Sequence, residues 1–312
     1  MKNIIITGGA GFIGSSLVNF FLKKKNYYIC IIDDLSTGKR SNINFKNNKI
    51  KFIKGDCSED KIINKIPKKK YDVLFHIAGQ SSGEISFDDP SNDLNRNLLS
   101  TVKLAQFCLK NKVKKIVYAS SMSVYGNLKN NNYLAKVNDS CEPLSFYGLS
   151  KLSSENYLKL FSKQGLKYSI LRLFNVYGAN QDMKNLRQGM ISIYLAQLLK
   201  SNTVIVKGSL KRFRDFIYID DVVSIFYGCY MKSITNNKIY NVSTGVKTSV
   251  REVLKILSDN LNLNIKIIKK QGTPGDQFGI FSNSTDLKRT MKLKNFIPIF
   301  TGIKKMIKSH KK

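Results

Sequence analysis

Along the first half of the chain, short unbroken apolar runs alternate with longer stretches in which apolar residues recur every three or four positions. Residues 2–7, "KNIIIT", are continuous and β-branched, which predicts a strand buried on both faces. Residues 12–25, "FIGSSLVNFFLKKK", have helical spacing. The alternation continues with strands "YYICIID" (27–33) and "IKFIKGD" (50–56), a helix over "EDKIINKI" (59–66) and strand "YDVLFHIAG" (71–79). A long helix over "LNRNLLSTVKLAQFCLKN" (94–111), strand "KKIVYASS" (114–121), a helix opening in "SFYGLSKLSSENY" (145–157) and strand "YSILRLFNVYG" (168–178) complete it. Such alternation predicts an α/β fold with a doubly wound parallel sheet covered by helices on both faces. After Gly178 the rhythm loosens into "MISIYLAQLLK", "TVIVKG", "DFIYIDDVVSIFYGCY", "KIYNVST", "SVREVLKILSDNL" and "IKIIKK". The expected organisation is a first domain over 1–178 and a smaller, mixed α/β region over 179–312, with 215–245 returning to the first domain.

The first turn, "TGGAGFIG" (7–14), places Gly8, Gly11 and Gly14 between a strand and a helix, with Phe12 and Ile13 opening the helix. Glycines there let the backbone turn tightly and approach a pyrophosphate, whose charge sits on the helix N-terminus. A glycine triplet alone is a weak signal; its setting makes it strong. The next strand ends in Asp33-Asp34, and a carboxylate at Asp33 suits the two adenosine ribose hydroxyls and repels a 2′-phosphate. This points to a Rossmann-type domain that binds NAD in preference to NADP. A turn cap is the alternative role, more plausible for Asp34 than for Asp33. Asp56, at the end of the third strand, suits an adenine amino group or a simple strand-end cap.

In "SFYGLSKLSSENY", Tyr147 stands one helical turn before Lys151, so both side chains rise from one face. A phenol beside an ammonium can be a ring packed on a lysine stem, or a tyrosine whose proton is easier to remove. The spacing alone occurs by chance in many helices.

Composition narrows the field. A chain of 312 residues, 42% hydrophobic, can bury a large core. No apolar run approaches the ~18–20 residues that cross a bilayer, and Met1-Lys2-Asn3 leads straight into a strand with no secretory leader. Cys30, Cys57, Cys108, Cys141 and Cys229 are scattered, which predicts reduced thiols, no metal site and a cytoplasmic protein. With His76 and His310 as the only histidines, a histidine metal centre or a serine–histidine triad is nearly excluded. The net charge is +31. Basic chains can bind nucleic acid, but these lysines are spread out, with short runs such as Lys23-Lys24-Lys25 and Lys68-Lys69-Lys70 and a tail at Lys304, Lys305, Lys308, Lys311 and Lys312. No basic stripe carries interleaved aromatics, so nucleic-acid and membrane binding are not expected. The positive field favours a dianionic small substrate.

The chain resembles the extended short-chain dehydrogenase/reductase family, and within it the NAD-dependent nucleotide-sugar epimerases of the UDP-glucose 4-epimerase type. The resemblance rests on "TGGAGFIG", "IDDLSTGKRSN", "GDCSED", "HIAGQ", "YASSMSVYG", "PLSFYGLSK", "LRLFNVYG", "RFRDFIYIDDV", "YNVSTG" and "TPGD", and runs over nearly the whole chain. It implies catalytic roles for Ser121, Tyr147 and Lys151. It implies cofactor contacts at Gly8, Gly11, Phe12, Ile13, Gly14, Asp33, Asp34, Asp56, Cys57, Ile77, Ala78, Gly79, Asn97, Tyr147, Lys151 and Phe174. It further implies substrate contacts at Ser121, Asn175, Arg214 and Asp276, no metal, and a homodimer formed through helices at 94–110 and 146–163. The chemistry fits: a tyrosine of pKa about 10 is a poor base near neutrality, and a neighbouring ammonium and a cationic nicotinamide both favour its phenolate. The implied reaction is epimerisation of a nucleotide sugar, first of all between UDP-glucose and UDP-galactose, through a transient 4-ketone. A UDP-N-acetylhexosamine epimerase, a UDP-glucuronate decarboxylase and a 4,6-dehydratase are the neighbouring alternatives. Relatives that dehydrate carry acids just after the catalytic serine or threonine, where this chain has Met122 and Ser123. For Arg214 the alternative is a salt bridge to Asp215 or Asp220. The chain departs from the family pattern at Thr273, where many relatives place an arginine for the substrate diphosphate; Arg212 or a nearby lysine is the expected substitute. Ile280 falls where some relatives have an aromatic gate against N-acetyl groups, and Gln188, Gly189 and Met190 are expected on the nucleotide side of the cleft.

Overall fold

The computed structural model describes residues 1–24, 26–44, 47–272 and 277–310. In chain order the elements are β1 (Lys2–Thr7), α1 (Phe12–Lys23), β2 (Tyr27–Asp33), β3 (Ile50–Lys54), α2 (Asp60–Ile63), β4 (Val73–His76), α3 (Gly83–Ser86) and α4 (Pro90–Leu94). These are followed by α5 (Ser100–Lys110), β5 (Lys115–Ser121), α6 (Phe146–Ser162), β6 (Lys167–Leu173), β7 (Asn175–Tyr177), α7 (Met190–Leu198), β8 (Thr203–Lys207), β9 (Phe213–Arg214) and β10 (Phe216–Tyr218). The last are α8 (Ile219–Met231), β11 (Lys238–Val242), β12 (Thr248–Ser249), α9 (Val250–Leu261), β13 (Lys266–Lys270), β14 (Gly279–Ile280), α10 (Thr285–Met291) and α11 (Ile299–His310).

Seven strands form one sheet in the order β3-β2-β1-β4-β5-β6-β11, and every pairing in it is parallel. One face packs on a core that includes Leu17, Phe21, Phe75 and Phe226, and the other on a core that includes Leu74, Leu104, Ile116 and Leu158. Strands buried on both faces need unbroken apolar side chains, which is why "KNIIIT" and "YYICIID" were readable as strands. The sheet changes direction between β1 and β4, and the C-terminal ends of strands beside such a switch leave a crevice for a ligand. β11 returns from the second half of the chain to the sheet edge beside β6.

Two details differ from the expected elements. The run at 168–178 divides after Leu173: β6 stays in the main sheet, whereas β7 pairs with β10 in a separate two-stranded ladder. The long helix at 94–111 contains a π turn at Asn95–Leu99, between α4 and α5. Such turns bulge the backbone and recur at functional sites; this one carries Asn97. No helix among the described residues is long and apolar enough to cross a membrane.

Candidate active site

A cavity of about 540 Å³ lies over the C-terminal ends of β1, β2 and β4. The turn after β1 forms its floor. Gly8 has φ +68, and a Cβ there would stand 2.7 Å from the Ala78 nitrogen, while one at Gly14 would overlap the Gly8 carbonyl. The bare backbone is therefore a packing requirement, and it leaves the start of α1 open to the cavity. Gly11, Phe12, Ile13, Asp33, Asp34, Asp56, Cys57, Ile77, Ala78 and Gly79 line the same space.

The carboxylates also brace the walls. Asp33 accepts from the backbone N–H of Ala10 (2.8 Å) and of Leu35 (2.8 Å), tying the phosphate turn to the end of β2. Burial pushes the Asp33 carboxyl up. Asp34 accepts from Ser36 and pairs with Arg96 at 2.6 Å, so the turn-cap reading holds for it as well. Asp56 accepts from the Ser58 N–H at 2.8 Å, the strand-end cap considered above. Asn97 lies behind the wall and does not line the cavity. Its Nδ2 donates to the Gln80 carbonyl (3.0 Å) and to Asp93 (3.1 Å). Its buried Oδ1 has no hydrogen-bond partner among the described residues and lies against Gly79.

Phe12, Ile13, Ile77 and Gly79 continue into a second cavity of about 250 Å³, which receives Ser121, Tyr147, Lys151, Phe174 and Asn175. Ser121 ends β5 and caps the following turn, accepting from the Ser123 N–H at 3.1 Å. Ser145 caps α6 by accepting from the Gly148 N–H at 3.1 Å, which fixes the first turn that carries Tyr147. The Ser121 hydroxyl donates to that of Ser123 at 3.2 Å and faces the same cavity as Tyr147. The Lys151 ammonium donates to the Ala119 carbonyl at 3.0 Å and lies 5.8 Å from the centre of the Tyr147 ring.

Burial dominates the electrostatics of this pair. Burial pushes the Tyr147 phenol up to about 12, against the lowering effect of Ser121. Burial likewise pulls the Lys151 ammonium down to about 8, with Asp93 opposing. Burial holds His76 down to about 3, so it is neutral, with Nδ1 2.8 Å from the Thr7 hydroxyl and Nε2 3.0 Å from that of Thr101.

A third cavity of about 460 Å³ adjoins the second through Met122, Ser123, Asn175, Gln188, Gly189 and Met190. Arg214 lines it, donating to the carbonyls of Phe213 (2.7 Å) and Gln277 (2.8 Å). The two carboxylates considered as its partners are engaged elsewhere: Asp215 accepts from Thr244 and Gly245, and Asp220 pairs with Lys305 at 3.7 Å. Ile280 is fully buried with Val124, Tyr125, Ala135 and Phe174 and lines none of the three cavities. Thr273 and Asp276 lie outside the described residues.

Several lining residues were not foreseen. Residues 180–185 with Ser309 and His310 close the first cavity from beyond the expected domain boundary. Lys39 pairs with Asp182 at 2.7 Å across it. These contacts join segments far apart in sequence, and no local pattern announces them.

The profile of the "NAD dependent epimerase/dehydratase family" matches residues 4–243. A Methanocaldococcus jannaschii protein provisionally named a UDP-glucose 4-epimerase is 36% identical over 309 residues, covering 97% of each chain. Two solved structures superpose over nearly the full length. The UDP-glucose 4-epimerase of Thermotoga maritima with UDP-glucose has a TM-score of 0.92 at 29% identity, covering 99% of each chain. The UDP-N-acetylglucosamine 4-epimerase of Methanobrevibacter ruminantium, in complex with UDP-N-acetylmuramic acid, has a TM-score of 0.91 at 30% identity, covering 99% of this chain and 98% of that one.

Proposed function

The chain belongs to the NAD-dependent epimerase/dehydratase family, and from that premise we propose that it interconverts UDP-hexoses epimeric at C4, through a transient 4-ketone. One observation carries this choice within the family. The described lining of the catalytic cavity contains no carboxylate; its titratable side chains are Tyr147, Lys151 and the buried Tyr177. Eliminating water needs a further acid and base, and neither Met122 nor Ser123 supplies one. What remains is proton movement at a single hydroxyl.

The cavities fit NAD. The Gly8–Gly14 turn and the open start of α1 would hold its pyrophosphate. Asp33 would take the adenosine ribose hydroxyls, with Asp34, Asp56 and Cys57 around the adenine and Ile77, Ala78 and Gly79 along the wall. Asn97 would steady that wall through Gly79, and Phe174, Tyr147 and Lys151 would border the nicotinamide end. When bound, NAD supplies the hydride acceptor and donor at C4 and a cationic ring close to the relay. Tyr147 takes the proton of the 4-hydroxyl and later returns it. Ser121 holds the oxygen that becomes the carbonyl. Lys151, fixed on the Ala119 carbonyl, keeps positive charge beside the phenol. Asn175 and Arg214 would receive the nucleotide diphosphate.

A homodimer is part of this reading. On α6, Phe146, Leu149, Tyr157 and Leu160 are exposed by 43%, 51%, 44% and 56% and fall at helical spacing. An apolar helix face of that kind suits a second copy. The described cysteines are all free thiols, which agrees with a reducing cytoplasm.

The test is to incubate the purified protein with UDP-galactose and no added cofactor. UDP-glucose should form, and Tyr147→Phe should abolish it while NAD is still released on denaturation. If UDP-galactose, UDP-N-acetylglucosamine and UDP-glucuronate all stay unchanged, the proposed activity is wrong.

A further inference from the structure

We propose that Asp93 is a positioning residue for Lys151, turning the Asn97 amide oxygen toward the ammonium and supplying its buried counter-charge; this rests on the proton relay proposed above. Asp93 lies in the last turn of α4, and Asn97 follows one turn later, inside the π turn. Both are fully buried, and this stretch packs on α6, the helix that carries Lys151. Asp93 lines none of the three cavities, so it acts through its neighbours.

The hydrogen bonds fix how the amide points. Asn97 Nδ2 donates to the Gln80 carbonyl at 3.0 Å and to Asp93 Oδ1 at 3.1 Å. Gln80 Nε2 also donates to that Oδ1, at 3.0 Å. A carbonyl and an ionised carboxylate only accept, so a flipped amide would set oxygen against oxygen twice. Asn97 Oδ1 is therefore held toward Gly79, where an added Cβ would run into it and stand 3.4 Å from Lys151 Nζ. The amide thus links the carboxylate to the ammonium. An ammonium has three N–H groups, and Lys151 places one on the Ala119 carbonyl at 3.0 Å. The same cluster holds two buried acceptor atoms without a hydrogen-bond partner among the described residues, Asn97 Oδ1 and Asp93 Oδ2. The other titratable groups around Lys151 do not supply its counter-charge. His76 on β4 is neutral, and Tyr118 on β5 and Tyr147 on α6 present ring centres 5.0 Å and 5.8 Å from Nζ. Burial pushes the Cys57 thiol up to about 12, and Glu155 is taken by Arg172 at 2.8 Å. Burial pushes the Asp93 carboxyl up as well, and Ser150 and Lys151 oppose it.

NMR titration of the Lys151 ammonium tests this without relying on turnover. The NAD-loaded protein carries isotope-labelled lysine, and the Lys151 signal is assigned by its absence from Lys151→Arg. Asp93→Asn keeps the shape and an acceptor oxygen but removes the charge. The Lys151 midpoint should fall by about one pH unit, the scale of a nearby opposite charge, and the alkaline limb of kcat/KM should fall with it. In Lys151→Arg the same substitution should leave the limb in place, because a guanidinium stays charged throughout. Asp93→Ser, read in the same way, decides if Asp93→Asn does not fold. A folded variant that loses melting temperature or activity while the Lys151 midpoint stays put would overturn the inference and leave the proposed activity standing. A lowered midpoint in a protein that turns over no nucleotide sugar would uphold the link between Asp93 and Lys151 and overturn the proposed activity.

Discussion

At the proposed cofactor end of the cleft the wall is glycine backbone with carboxylates and cations paired against one another; at the proposed substrate end cations predominate. The first end sits on the C-terminal edges of adjacent parallel strands of the main sheet, within a few residues of Gly8, Asp33, Asp56 and Gly79. The second is assembled from the short strands β8, β9 and β13 and from separate loops, with cations from positions 187, 207, 212, 214 and 270. Between them Ser121, Tyr147 and Lys151, the relay we propose, lie buried along one cavity. A site for a retained cofactor can be carried by rigid backbone. A site for a dianion that must enter and leave depends on side-chain charge, so the two ends should fail differently when altered.

The largest effect is expected between them. Tyr147→Phe removes the proton carrier and should lower kcat by about 10³-fold or more, at the upper part of the general acid–base range, with NAD content and UDP affinity unchanged. Loss of NAD in that variant would mean that the phenol is mainly structural. At the substrate end, Arg214→Ala should raise the dissociation constant for UDP by about 30-fold or more, as expected when a desolvated charged contact is truncated, while leaving NAD bound. Calorimetry on the same sample reads both. At the cofactor end, Asp33→Asn should reduce the preference for NAD over NADP by about tenfold, measured by reconstitution with each dinucleotide; part of any stability loss would come from the Ala10 and Leu35 contacts.

This difference also decides what was legible in the residues. The strands of the main sheet were readable because burial on both faces forces continuous apolar runs. The phosphate turn was readable because Gly8 and Gly14 meet backbone at distances that no side chain tolerates. The break after Leu173 was hidden, since β6 and β7 are equally apolar and the second pairs with a distant strand, β10. The π turn at Asn97 was hidden because it keeps helical composition. The upward push of burial on Tyr147 was hidden because spacing reveals a neighbouring charge but not the degree of desolvation. His310 and Asp182 at the cofactor cavity follow from chain path alone.

Two smaller predictions sharpen the comparison. Lys151 is held down to about 8, so its ammonium is present below that pH and lost above it. The kcat/KM profile should therefore fall on an alkaline limb near 8, and Lys151→Arg should move that limb upward; an unchanged limb would assign it to another group. The smallest effect is expected from Lys39→Met. Its bridge to Asp182 is substantially exposed, 45% and 32% by side chain, and exposed pairs contribute little. NAD release, followed by fluorescence after dilution, should speed up by no more than about fivefold.

The central claim is that this relay oxidises and re-reduces one carbon without touching its neighbours. Turnover of UDP-galactose in heavy water, with the product read by NMR and mass spectrometry, tests it directly. The account predicts UDP-glucose with no deuterium bound to carbon, because the C4 hydrogen leaves and returns as hydride while solvent exchanges only with hydroxyls. Deuterium at C5 or C6, or loss of water from the sugar, would contradict it and assign the site to a reaction that breaks bonds beyond C4.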